Sequence, residues 1–173
     1  MTAWRHARAI ALLPGTVTIV LPAAILLVGD GPEIGWGIGG AGAVLVAIAG
    51  GALIAAGLGL WAWTVWLFAR RGEGTLAPWD ATRRLVVVGP YRHVRNPMIT
   101  AVVAVLAGEA AVLGSLGILI WAGAFLVLNH LFFVLVEEPG LERRFGDEYR
   151  EYKRAVPRWI PQPAGPGPSG RRR

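Results

Sequence analysis

Hydrophobic and polar positions separate this chain into long apolar stretches divided by charged segments. A helix needs about 20 mainly apolar residues to cross a bilayer core. The run from Ala9 to Gly29 is uncharged and meets that length. The next, Ile34 to Ala69, exceeds one crossing and is too short for two with a turn, which predicts one long tilted or kinked helix at about 36–68. Gly50-Gly51 is its place for a bend. Gly35, Gly39, Gly42 and Gly57 leave room for another helix, packing within the chain being favoured over a dimer motif. From Pro97 to Val136 the only charge is Glu109. Leu113-Gly114-Ser115 offers a turn there, predicting a helical hairpin at about 98–113 and 116–136. Glu109 falls near the far end of the first arm, where a snorkelling or interfacial role outweighs a catalytic one.

The polar segments read differently. Residues 70–96, punctuated by Gly72, Gly74, Pro78, Gly89 and Pro90, form an ordered loop with an extended piece at Leu85–Val88. Past Val136, apolar or aromatic residues at 141, 145, 149, 152 and 156 keep helical spacing between charges. That predicts amphipathic helices over 137–160 lying on the membrane face, with Trp159 as an interfacial anchor. Residues 162–173 are rich in Pro and Gly with a basic end and are expected to be disordered. Arg5 and Arg8 before the first apolar run also suit a signal peptide. The run is longer than the usual apolar core of one and lacks a clear cleavage site, which favours a retained helix. The expected fold is an all-α polytopic membrane domain spanning 1–161, with four transmembrane helices at about 9–29, 36–68, 98–113 and 116–136.

Composition agrees with that pattern. The chain is 54% hydrophobic and 16% charged, against roughly 25% charged in soluble domains. The formal net charge is +6, and the basic residues flank apolar runs, so an anionic membrane surface is a better partner than nucleic acid. The 17 Lys and Arg residues all fall in the N-terminal tail, the 70–96 loop or the segment after Val136. Four crossings put all three on the cytoplasmic side of a plasma membrane, with both termini inside. There is no cysteine, which excludes disulfides and thiolate chemistry, and three scattered histidines make no zinc set.

Two polar clusters could carry chemistry. Gly89-Pro90-Tyr91-Arg92-His93-Val94-Arg95-Asn96-Pro97 precedes the third helix. A positively charged stop with a proline helix start explains its Arg and Pro but not its Tyr, His and Asn. Glu137-Glu138 closes the predicted fourth helix, where adjacent carboxylates oppose the helix dipole. His130, Val134, Glu137 and Leu141 recur at helical spacing, so His130 and Glu137 are expected on one face. His130 alone is a packing residue more often than a catalyst.

The segment from about Gly72 to Pro161 resembles the isoprenylcysteine carboxyl methyltransferase and phospholipid methyltransferase group of membrane enzymes. That group's signature is Arg-His-Pro-x-Tyr-x-Gly followed by Glu-Glu-x-x-Leu. Here it stands as Arg95-Asn96-Pro97-Met98-Ile99-Thr100-Ala101, then Glu137-Glu138-Pro139-Gly140-Leu141. Asn96, Ile99 and Ala101 depart from it, and Phe133 stands where the prenylcysteine enzymes carry an Arg. The resemblance implies S-adenosylmethionine as cofactor, lined by Arg83, Arg84, Leu85, Val86, Tyr91, Asn96, Pro97, Met98, Ile99, Glu137 and Glu138. Arg95 would meet the cofactor carboxylate, and His130 is the candidate base for a protonated acceptor. The acceptor would be a lipophilic carboxylate, amine or thiol arriving from the bilayer. Two other readings stay open: an NADPH-dependent reductase of the sterol type, although no dinucleotide Gly-rich fingerprint is present, and a non-catalytic membrane scaffold.

Overall fold

A computed structural model describes residues 14–29, 31–71, 85 and 87–162. Among them every regular element is helical. Helix α1 (Thr16–Val28) opens with a π turn at Thr16–Val20. Helix α2 is Ala41–Arg71 and α3 is Pro97–Leu113, with a 3-10 turn at Gly89–Arg92 between them. Helix α4 (Leu116–Phe145) and helix α5 (Asp147–Ala155) complete the order.

The predicted hairpin forms as its turn residues require. Gly114 takes the left-handed conformation at φ 60°, and the Ser115 hydroxyl accepts from the Ile118 amide at 3.3 Å. Helix α2 starts at Ala41, five residues later than predicted. Gly31, Gly35, Trp36, Gly37 and Gly40 all have positive φ, which no right-handed helix accommodates. The resulting turns lie over the α3–α4 hairpin, where the Trp36 indole donates to the Ala111 carbonyl at 3.1 Å.

Helices α2 and α3 pack antiparallel through small residues. A Cβ on Gly57 would sit 2.7 Å from the Ala101 carbonyl, and one on Gly50 would sit 2.9 Å from that of Gly108. Gly50 is therefore a contact point inside an unbroken helix, as Gly57 is; the close partner is in the same chain. The core joins Val102, Leu106 and Ala110 of α3 to Ile118 and Ala122 of α4, with Val17 and Ile25 of α1 against them.

Outward faces are apolar. Leu45, Ile48, Trp63 and Trp66 on α2, and Ile120, Leu128 and Leu135 on α4, are all exposed. Helices α2 and α4 are long and apolar enough to span a membrane, yet only 11% and 17% of their most apolar stretches are buried. The core helix of a soluble protein would hide that surface; these suit lipid.

One bound needs correction. Helix α4 does not end at Val136 but continues to Phe145 through a π turn at Phe133–Glu137. Pro139 lacks the amide that an α-helix needs, and the wider turn before it absorbs the mismatch. The segment after α4 also packs on the protein through its aromatic side. Tyr149, Tyr152 and Val156 bury themselves against Leu85, Val87, Leu141 and Phe145, so the apolar face of α5 is spent inside the protein.

Candidate active site

Glu138 is 4% exposed, and three cations from three segments meet on it. Arg95, before α3, donates through Nη1 at 2.7 Å. Arg158, after α5, donates through Nε at 2.9 Å and Nη2 at 2.8 Å. Lys153 of α5 reaches the other carboxylate oxygen at 3.1 Å and Glu142 at 2.9 Å. Glu142 first and Glu138 second raise the Lys153 pKa above its ordinary value. A desolvated carboxylate persists only when paired in this way. Its two oxygens are engaged, which leaves Glu138 as a structural centre.

Glu137 has different surroundings. The Arg95, Lys153 and Arg158 pairs go to Glu138, while Glu137 faces Tyr91 closely enough to affect that phenol. Burial, then Tyr152, then Glu137 raise the Tyr91 pKa, so the hydroxyl keeps its proton. Burial likewise raises Tyr152, whose hydroxyl donates to the Tyr91 carbonyl at 2.8 Å. Tyr149 is raised by burial and by Glu138, against an opposing effect from Arg95.

The start of α3 completes the group. Asn96 stands at the N-cap with φ −122° and ψ 62°, and its side chain makes no capping bond. Pro97 is buried behind it, and Met98 and Ile99 follow half-buried in the first turn. The side chain of Arg95 is 10% exposed, and its Nε is buried without a partner. Buried donors are nearly always satisfied, so an orphan here marks where a ligand acceptor could sit.

His130 stands on α4 about 12 Å before Glu138 at the usual rise per residue. Its Nδ1 accepts from the Trp159 indole at 3.1 Å, and Arg158 Nη1 lies 3.3 Å from the same atom. Arg158 thus bridges His130 and Glu138. The π turn adds a residue to that stretch, so Glu138 takes the place beside His130 that even helical spacing assigned to Glu137. Trp159 folds onto α4, with its ring 6.3 Å from His130 and 5.9 Å edge-on from Phe133.

The C-terminal segment is also tied to the loop before α3. The Arg95 amide donates to Pro157, the Gln162 amide donates to the His93 carbonyl at 3.1 Å, and His93 Nδ1 lies 2.9 Å from the Gln162 carbonyl. Of the residues predicted for the site, Leu85, Tyr91, Arg95, Asn96, Pro97, Met98, Ile99, Glu137 and Glu138 lie in or beside this assembly. Leu85 does so only as packing under Tyr149 and Tyr152. Arg83, Arg84 and Val86 lie outside the described residues. Sequence reasoning missed Lys153 and Arg158, whose only signal was a basic residue within an amphipathic repeat.

The family described as phospholipid methyltransferase matches this chain over residues 45–148, which takes in both polar clusters. An uncharacterised protein of Haemophilus influenzae is 46% identical over 44 residues, covering 24% of this chain and 70% of that protein. No solved structure matches.

Proposed function

The chain belongs to the phospholipid methyltransferase family, within the isoprenylcysteine carboxyl methyltransferase-like group of membrane methyltransferases, and we propose that it methylates a lipophilic acceptor at the cytoplasmic face using S-adenosylmethionine. One observation carries this reading. The two halves of the signature, 43 residues apart, meet through the 2.7 Å ion pair of Arg95 and Glu138. That contact sets Tyr91, Asn96 and Glu137 around one place where the apolar helices end.

The groups there match the cofactor's polar ends. Arg95 Nε is a buried donor suited to a carboxylate, and Glu137 is an acceptor suited to an ammonium or ribose hydroxyls. The bound cofactor would supply an activated methyl on a sulfonium. The protein's own work is then alignment and exclusion of water. Glu138 fixes Arg95, the π turn separates Glu137 from the saturated Glu138, and residues 147–162 cover the loop before α3. The general-base role suggested for His130 loses support, because the lone pair on Nδ1 is already taken by Trp159.

Four crossings with the basic segments inside complete the proposal, α1 and α3 being the shorter pair. Calorimetry of the purified protein in nanodiscs tests it: S-adenosylmethionine should bind, and radiolabelled methyl should then pass into added membrane lipid. A folded protein that ignores S-adenosylmethionine and binds NADPH would overturn the reading in favour of the reductase. A protein that binds neither would be a scaffold.

A further inference from the structure

His130 and Asn129 are the polar pair on an apolar stretch of a helix suited to span the membrane, with the exposed Val127 and Leu131 close by in sequence, and the Asn129 amide is occupied by the Phe125 carbonyl. Residues of this kind usually serve a site. Its ring is held by two groups that can only donate. The Trp159 indole N–H points to Nδ1 at 3.1 Å, and the Arg158 guanidinium lies 3.3 Å from the same atom. Neither an indole nor a guanidinium can accept a hydrogen bond. Nδ1 must therefore be the bare nitrogen, which leaves the proton of a neutral ring on Nε2. Arg158 is itself anchored on buried Glu138, and Trp159 is wedged between His130 and Phe133. The ring orientation is consequently set by the same C-terminal segment that closes over Arg95.

We propose that Trp159 and Arg158 lock His130 as an Nε2–H hydrogen-bond donor that binds an oxygen of the lipophilic acceptor, so that His130 positions the acceptor and does not take its proton. This rests on the methyltransferase reading for the identity of the acceptor, but the lock itself does not. An acceptor with a carboxylate, phenolate or phosphoryl oxygen satisfies the donor; a bare thiol or ammonium does not. The inference also gives the C-terminal segment a part in acceptor recognition as well as in closing the site.

Two measurements test it. In protein labelled with 15N-histidine, the His130 signals should show an unprotonated Nδ1 and a protonated Nε2. Trp159→Phe leaves Arg158 alone facing Nδ1 and should weaken that preference. An Nδ1–H ring in the wild-type protein would overturn the lock, whatever calorimetry shows for S-adenosylmethionine. A wild-type protein unable to bind S-adenosylmethionine would instead count against the methyltransferase reading. The second measurement compares His130→Gln with His130→Leu, using radiolabelled methyl transfer into a total lipid extract. Gln carries an amide N–H near the place of Nε2–H but is no base. His130→Gln should retain most of the rate, while His130→Leu should lose about tenfold or more, as expected for one hydrogen bond in a dry site, with cofactor affinity unchanged. Equal loss in both would restore the base, and full activity in His130→Leu would remove the residue from the site.

Discussion

Glu137 and Glu138 are adjacent in sequence and opposite in circumstance. Glu138 is buried among Arg95, Lys153 and Arg158, whereas Glu137 faces the Tyr91 phenol. Removing one partner of a buried ion pair costs about 3–5 kcal/mol, since it strands uncompensated charge. Glu138→Ala should therefore lower the thermal midpoint in detergent markedly. It should also expose the chain after Phe145 to limited proteolysis, because Arg158 and Lys153 lose their anchor. Glu137→Ala should leave the midpoint nearly unchanged and abolish S-adenosylmethionine binding by calorimetry. The reverse pattern would exchange their roles. The residue types at both positions were legible in the sequence, and their division of labour was not. It depends on which carboxylate the π turn delivers to Arg158, and that turn is a response to Pro139 that helical periodicity does not register.

At the scale of elements, the seam between α2 and α3 is built on absent side chains. A Cβ at Gly108 would lie 2.6 Å from the Gly50 carbonyl, and one at Gly57 would lie 2.7 Å from that of Ala101. Backbone cannot yield as a flexible side chain can, so Gly57→Val or Gly108→Val should cost about 1–3 kcal/mol by overpacking. Gly51 and Gly59, with nothing within 4 Å of a built Cβ, are the controls: alanine there should be neutral or slightly stabilising in the same thermal assay. Equal losses at all four glycines would mean that close backbone approach is not what sets these positions apart. Much of this level could be read in advance. The 113–115 turn, the long second helix and the role of Gly57 follow from turn chemistry and small-residue spacing. Hidden from the sequence was the fate of the apolar face of α5. An amphipathic helix looks alike whether its apolar side meets lipid or Leu85 and Val87, and only the tertiary path decides.

For the whole molecule, charge and fold point to one arrangement. The loop before α3 and the segment after α4 are joined by the Arg95–Glu138 pair, the Tyr152–Tyr91 bond and the two contacts between His93 and Gln162, so they must lie on the same side of any membrane. The turns around Glu33 are held instead against the α3–α4 hairpin through Trp36 and Ala111, at the other end of α3. The absence of native cysteine makes this directly measurable. Single cysteines at Glu33, Arg92 and Arg154, all exposed positions, can each be challenged in intact cells with a thiol reagent that does not cross membranes. Glu33→Cys should label from outside, whereas Arg92→Cys and Arg154→Cys should label only after permeabilisation. This is the outcome that the positive-inside rule demands of the clustered arginines. Labelling of all three from the same side would mean that α2 and the α3–α4 hairpin do not cross. The site would then be reached by soluble substrates, and the lipophilic acceptor would lose its physical basis. Labelling of Arg92→Cys and Arg154→Cys from opposite sides would contradict the buried ion pair itself, because a guanidinium and its carboxylate 2.7 Å apart cannot be separated by a bilayer.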